Sequence, residues 1–408
     1  MPLMAFHRER TAVSALRGLR AGLRSRYIGR KETAMTLRFH TTGQSRASLH
    51  AATTFAARGA CALAVAVALS LLSRTAALAA DATPPADTKP SAESASEKPS
   101  ASAFDAERFF QAFVKVQARA VPNARSSATL GTEREGTGIV IGDDGLVLTI
   151  GYLIVEADQV SLVDQQGRTL PARVVGYDHM TGLGLVRTVV PFEVAPLGFG
   201  DSSALSERDP VMIINYAGAS DVTPAWVVSK RAFTGNWEYL LESAIFTSPP
   251  ALNWSGAALI SKEMKLVGVG SLIVREASTV GETVVPGNMF VPIDTLKPIL
   301  ADLVKNGRPG GAARPWLGVA ADEVQGRLVV SRVSPDGPGD LAGIKVGDII
   351  LGVGGDGVRT QAEFYRKVWS RGPAGADIPL RVLQGLDIKE LAVHSIDRLD
   401  YFRPRTTY

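Results

Sequence analysis

The chain has 408 residues, enough for two or three domains, and its 46% hydrophobic and 21% charged residues are the ordinary balance of a protein that buries a core. Its formal charge of +4 is unevenly spread: residues 1–79 hold 12 Lys and Arg against 2 acidic residues, and the remainder holds 32 against 38. The part that folds is mildly acidic, so nothing in its charge balance suggests the basic stripe of a nucleic-acid-binding surface.

The basic start reads as a targeting segment. Ala60 to Leu72 is an apolar run too short for a comfortable membrane span; Arg58 precedes it and Ala77-Leu78-Ala79 follows as an A-x-A cleavage site. Residues 52–79 are therefore expected to be a secretory signal peptide, with Met35 a candidate start. An uncleaved anchor in the inner membrane, facing the periplasm, is the alternative. The single cysteine, Cys61, falls inside this segment, so the exported product would have no disulfide and no thiol chemistry, which suits a bacterial periplasm. Residues 80–104, rich in Ala, Pro, Ser, Lys and Glu, read as a disordered linker. Phe109, Phe110, Phe113 and Val116 then recur at helical spacing, predicting a helix over Phe104–Val116 that packs on the next domain or meets another subunit through its aromatic rings.

From Gly136 the period changes. Gly138–Ile141, Gly145–Thr149, Val160–Val163, Ala172–Val175, Val211–Ile214, Ala225–Val228, Ala257–Ile260 and Leu266–Val269 read as short strands, with Asp143-Asp144-Gly145 and Gln165-Gln166-Gly167 as hairpin turns. Such spacing argues for antiparallel β-barrels. An amphipathic helix from Thr295 to Lys305 is expected to close this unit at 306, and residues 307–313 read as a linker. A second unit over 314–397 shows a strand at Gly326–Ser331, a helix from Gln361 to Trp369 and a strand from Ile378 to Leu383, with 398–408 a tail. No metal-ligand pattern, phosphate loop or cofactor motif is visible, and Gly352-Val353-Gly354-Gly355 reads as a turn.

Ser255 stands in Asn253-Trp254-Ser255-Gly256-Ala257-Ala258-Leu259, a small-residue turn similar to the nucleophile loop S-G-G-A-L of serine proteases. Gly136-Thr137-Gly138-Ile139-Val140-Ile141 is similar to a G-S-G-x-x-I opening, Gly200-Asp201-Ser202-Ser203-Ala204-Leu205 to G-D-S-x-x-L, and Phe290-Val291-Pro292-Ile293 to F-A-I-P. In this order the segments resemble the HtrA/Deg family of periplasmic proteases. The resemblance covers 105–397. It implies a mainly β fold: a trypsin-like double antiparallel β-barrel over 105–306, then a β-rich PDZ domain with short helices over 314–397.

Carried over residue by residue, the family's catalytic triad is incomplete. The histidine of its V-T-N-x-H-V pattern falls on Tyr152 in Leu148-Thr149-Ile150-Gly151-Tyr152-Leu153. The aspartate that ends D-x-x-x-D-[IL]-A-[LV] falls on Gly182, while Asp178 keeps the first aspartate. The family's G-N-S-G-G becomes Asn253-Trp254-Ser255-Gly256-Ala257. Asn253 therefore takes the position of a glycine whose backbone lets an N–H face the developing oxyanion, a conformation asparagine tolerates better than most residues. A tyrosine with pKa near 10 is a poor base at neutral pH. His179, His394 and Lys262 are the other candidate bases. His179 is expected to reach only the back of the triad, and His394 and Lys262 are expected to face solvent.

Trp316-Leu317-Gly318-Val319 resembles the PDZ loop that binds a terminal carboxylate with successive backbone N–H groups, and Phe364, Tyr365 and Val368 on the Gln361–Trp369 helix would form the other groove wall or fill the small core. Together these features lead to the expectation of an exported pseudoprotease that binds polypeptide C-termini or unfolded proteins. It would act as an adaptor, chaperone-like factor or regulator, as a homo-trimer or in mixed assembly with an active relative. The alternative is an active serine endopeptidase in which Ser255 is served by a non-standard base.

Overall fold

A computed structural model describes residues 104–235 and 238–402. The expected signal peptide, Cys61, Met35 and almost all of the expected linker lie outside the described residues. Strands β1 (Phe113–Ala120), β2 (Glu133–Val140), β3 (Leu146–Ile150), β4 (Ala157–Val163), β5 (Thr169–Tyr177) and β6 (Leu183–Thr188) close into a barrel in the order β1-β2-β3-β6-β5-β4. A second barrel follows, of β7 (Pro210–Ile214), β8 (Val222–Gly235), β9 (Tyr239–Ser248), β10 (Ala258–Ile260), β11 (Leu266–Val280) and β12 (Thr283–Pro292), in the order β10-β11-β12-β9-β8-β7. The period-2 pattern is plain in β1: Val114, Val116, Ala118 and Ala120 are buried while Gln117 and Arg119 face solvent. Phe113, Ile139, Leu148, Ile150, Leu162, Leu183 and Leu185 are fully buried, each worth about 1.5–3 kcal/mol of apolar transfer.

Two expected helices are corrected. Helix α1 is confined to Ala106–Gln111, capped by the Asp105 side chain accepting from Arg108 N, and Phe113 and Val116 belong to β1 instead. Pairing of β1 with both β2 and β4 overrides the helical spacing of its aromatic residues. The rings still cluster, with Phe109 5.3 Å from Phe110 and 5.4 Å from Phe113. Helix α2 (Ser127–Leu130) links β1 to β2. The Thr295–Lys305 helix is a 3-10 turn at Ile293–Thr295 followed by α3 (Leu300–Asn306), because Pro298 excludes a continuous helix through its predecessor. Gly307, at φ 74°, ends α3 by donating to the Leu303 carbonyl.

The C-terminal sheet runs β13 (Val319–Val324), β14 (Arg327–Val333), β15 (Ile349–Val353), β17 (Asp377–Gln384), β18 (Asp387–His394), with β16 (Asp356–Gly357) paired to β15. Helix α4 (Pro338–Leu341) precedes β15, and α5 (Gln361–Trp369) starts where the Thr360 side chain accepts from Glu363 N. The stretch read as a tail carries α6 (Arg398–Tyr401), and Tyr401 lies against Trp316 with ring centroids 4.6 Å apart. No helix among the described residues is long and apolar enough to cross a membrane.

One buried polar knot fixes the turn after β3. Arg134 donates from Nε to Gly131 O (3.0 Å), from Nη1 to Val155 O (2.6 Å) and Tyr152 O (3.2 Å), and from Nη2 to Ser126 Oγ (2.8 Å). Ser126 Oγ in turn donates to Glu156 Oε2 at 2.5 Å. Arg134→Met strands these buried acceptors and is expected to lower the unfolding free energy in urea by about 3 kcal/mol. Arg119→Met, at an exposed pair with Glu133, is expected to change it by less than about 1 kcal/mol.

Candidate functional site

Ser255 lies just before β10, in a loop fastened at both ends. The buried Asn288 side chain holds Ala251 twice, accepting from Ala251 N (2.7 Å) and donating to Ala251 O (3.0 Å). Downstream, Gly256 N donates to Gly270 O at 2.9 Å and Ala257 N to Trp254 O at 3.0 Å. The Ser255 carbonyl accepts from Thr137 N at 2.8 Å, so β2 of the first barrel lies directly on this loop. That approach explains Gly136: a Cβ there would stand 2.7 Å from Ser255 O and 2.9 Å from its Oγ.

Tyr152 also comes from the first barrel, on the 3-10 turn Gly151–Leu153 that follows β3. Its hydroxyl is 2.9 Å from Ser255 Oγ and 3.0 Å from the Ser271 carbonyl on β11. The phenol has one proton and the carbonyl can only accept. When that proton goes to Ser271 O, the serine hydroxyl is left to donate to Tyr152 Oη. Burial pushes the Tyr152 phenol up to about 12, against the opposing hydrogen bonds from Ser255 and Trp254. The partner of the serine is therefore a protonated phenol at neutral pH, not an imidazole.

The aspartate position offers nothing in compensation. Gly182, at φ 76°, contributes its carbonyl, which accepts from Gly151 N at 2.6 Å and ties the Tyr152 turn to β6. Asp178 is used within its own turn, accepting from Met180 N (3.0 Å), Thr181 N (3.0 Å) and Thr181 Oγ1 (2.7 Å). A Cβ at Gly182 would find Ile150 Cδ1 at 3.9 Å, so the site has room for a side chain even though its φ favours glycine.

The other candidate bases are not brought to Ser255. The His179 ring meets Tyr177 edge-on at 4.2 Å and stacks on Phe402 at 5.4 Å; both its nitrogens are buried with no hydrogen-bond partner among the described residues. Desolvation, then Arg398, holds its pKa well below the usual imidazole value. His394 pairs with Asp377 on the outer sheet (2.8 Å), and Lys262 lies 3.7 Å from Glu263 in the β10–β11 turn. Asn253 is not among the residues with positive φ, and its amide is tied to Asp221, Nδ2 to Oδ2 at 2.8 Å. It does not take the backbone conformation that an oxyanion-binding glycine would supply.

In the C-terminal domain, Gly318 has φ 72° and a Cβ there would lie 3.1 Å from both Ser334 Cβ and the Trp316 ring. Trp316 is bridged to Ile396 and lies against Tyr401 with the two rings tilted by 45°. Phe364, Tyr365 and Val368 are buried in the core of this domain. The N–H groups of Leu317 and Val319 are both engaged by the Glu238 carboxylate of the β8–β9 hairpin, at 3.1 and 2.6 Å. Sequence reasoning missed Arg134, Asn288, Ser271 and Glu238. A lone asparagine in the apolar run Asn288-Met289-Phe290-Val291 was the available signal for Asn288; Ser271 acts through its backbone and leaves none.

Tyr152→Phe removes one hydrogen-bonding group from this cluster. It is expected to cost about 1 kcal/mol, a fall in melting temperature of about 2–4 °C, with the circular dichroism spectrum unchanged.

Residues 136–269 match the family described as trypsin-like peptidase domain, and 315–394 match the PDZ domain family. A probable periplasmic serine endoprotease DegP-like of Rickettsia conorii is 28% identical over 275 residues, covering 63% of this chain and 52% of that protein. The serine endoprotease DegS of Escherichia coli K12 is 26% identical over 310 residues, covering 69% of this chain and 81% of that protein. The chain spans about half the length of the DegP-like relatives it matches. A solved HtrA-type protease, AlgW with decapeptide, aligns over 73% of this chain and 97% of its own at 19% identity, with a TM-score of 0.45. By these matches the chain carries a trypsin-like peptidase domain followed by a PDZ domain, and it is similar to periplasmic serine endoproteases of the DegP-like and DegS kind.

Proposed function

We propose that this chain is an exported pseudoprotease that recognises polypeptides and does not cut them. The observation that carries the reading is the 2.9 Å contact between Ser255 Oγ and the Tyr152 hydroxyl. A serine hydroxyl becomes a nucleophile when an adjacent base removes its proton. With a phenol at about 12, only about one molecule in 10⁵ carries phenolate at pH 7. Gly182 has no side chain with which to orient or stabilise a base, and Asn253 does not adopt the glycine-like backbone. Without the triad a protease site retains about 10³–10⁴-fold acceleration over water, negligible for a peptide bond.

The working part is then recognition. β13 is an end strand of its sheet, with an edge on which a peptide strand can add, and the loop at Leu317–Val319 is shaped for a carboxylate. The ligands are polypeptide C-termini or unfolded chains. The role is that of an adaptor, chaperone-like factor or regulator in envelope protein quality control. The periplasmic setting rests on the export signal read in residues 52–79 and on the names of the relatives. The aromatic cluster of Phe104, Phe109 and Phe110, with Phe104 exposed, suits assembly into a homo-trimer or with an active relative.

The reading is tested by covalent labelling. A fluorophosphonate is expected to label the protein no more than Ser255→Ala at pH 6–9; labelling that vanishes in Ser255→Ala would establish the active endopeptidase instead. Tyr152→His with Gly182→Asp is expected to stay unlabelled, and labelling is expected to appear once Asn253→Gly is added.

A further inference from the structure

The β8–β9 hairpin of the peptidase domain reaches into the PDZ domain at four successive points. Tyr365 Oη on α5 donates to Gly235 O at 3.2 Å. The Glu238 carboxylate accepts from Leu317 N (3.1 Å) and Val319 N (2.6 Å). Leu240, two residues on, is buried in the PDZ core cluster with Leu317, Val319, Phe364 and Val368, the only peptidase-domain residue there among those described. Glu242 receives a two-pronged bond from Arg366, Nε at 3.1 Å and Nη2 at 2.6 Å. A carboxylate held by the converging N–H groups around a left-handed glycine, with an apolar side chain sunk beside it, is the arrangement by which such a loop takes a chain terminus. Glu238 itself has φ 57°, a conformation that a residue with a β-carbon adopts at a cost, so the contacts hold the hairpin in a shape it does not favour on its own.

We propose that Glu238 stands in for a ligand's terminal carboxylate, so that the hairpin closes the PDZ site until a polypeptide with a free C-terminus displaces it. This rests on the reading that the PDZ domain binds C-termini. The tethered carboxylate competes at the high effective concentration of an intramolecular group. A ligand's apparent affinity is reduced by the fraction of molecules in which the site is open.

Protonation tunes the contact. Enclosure pushes the Glu238 carboxyl up to about 7, against the opposing pull of the Leu317 N–H, Arg398 on α6 and the Val319 N–H. The other charged or titratable groups around it are Tyr365 on α5, Arg332 on β14, which acts on that phenol, and the Arg366–Glu242 pair. The raised value belongs to the closed state and the ordinary 4.5 to the released hairpin. Protons therefore favour closure, and the closed state loosens as pH rises through 7.

The test uses the full chain and a fluorescein-labelled decapeptide ending in leucine, with a free or an amidated C-terminus, read by fluorescence anisotropy. Glu238→Ala is expected to bind the free-acid peptide at least tenfold more tightly than the parent at pH 6.5, and the amidated peptide weakly. Adding Gly318→Trp should abolish the gain. Parent affinity should climb about tenfold from pH 5.5 to 8 while that of Glu238→Ala stays level. Glu238→Gln, neutral like the protonated carboxyl and of the same size, is the second variant; it is expected to stay closed and to lose the parent's pH dependence, while faster hydrogen exchange at the Leu317 and Val319 amides in Glu238→Ala reports release directly. Equal affinity of parent and Glu238→Ala for the free-acid peptide overturns the gate and leaves C-terminal binding standing. Absence of binding in every form, with the amides released, overturns C-terminal recognition as well.

Discussion

The site turns on one hydroxyl placed between two barrels. Tyr152 Oη touches Ser255 Oγ from one side and the Ser271 carbonyl from the other, and it has a single proton to share between them. Everything around it serves to keep it there. Arg134 and the Gly151–Gly182 bond fix the turn that carries the tyrosine, while Asn288, Gly270 and Thr137 fix the loop that carries the serine. A phenol satisfied in this way is enclosed and hard to ionise. On the proposed reading, a serine satisfied in this way is an ordinary structural hydroxyl.

The same scaffold keeps a protease's shape because its shape and its chemistry have different requirements. The barrels depend on buried aliphatic residues such as Ile139, Leu148 and Leu185 and on strand ladders that any apolar sequence of the right period can form. The chemistry of the family it resembles depends on side chains at positions 152 and 182, where this chain has a tyrosine packed against the core and a glycine. Gly182 still does backbone work there, accepting from Gly151. On the proposed reading, the absence of a base and an orienter at these positions leaves the core intact, and the value of the fold shifts to its surfaces and to the PDZ domain.

Much of this was legible in the chain. Short strands bounded by Asp143-Asp144-Gly145 and Gln165-Gln166-Gly167 were plain, because hairpin turns need those residue types. The Gln361–Trp369 helix was plain because its apolar face and cap agree. Phe113 and Val116 misled, since i, i+3, i+4 spacing also fits a strand whose neighbours supply two ladders. The Thr295–Lys305 helix was read through Pro298. Strands β6 and β9 were not read, although Gly182 and Gly235-Asn236 are turn signals before them in the sequence. At the site, Tyr152, Gly182 and Ser255 could be placed by motif, and a phenol in the histidine's place could be expected to bond the serine, but its second partner could not be read. Ser271 contributes a backbone oxygen, which no residue type announces. Glu238 lies 79 residues before Leu317, and only the folded hairpin brings the two together.

The central claim is that no proton acceptor stands beside Ser255 at neutral pH. It is tested most directly by titrating Tyr152 through the ¹³Cζ resonance of labelled tyrosine, assigned by its loss in a Tyr152→Phe spectrum. The account predicts a resonance unchanged from pH 5 to 10 and a midpoint near the value of about 12 that burial imposes. A midpoint near 7 would contradict it, because the phenolate would then stand ready to take the serine proton under physiological conditions.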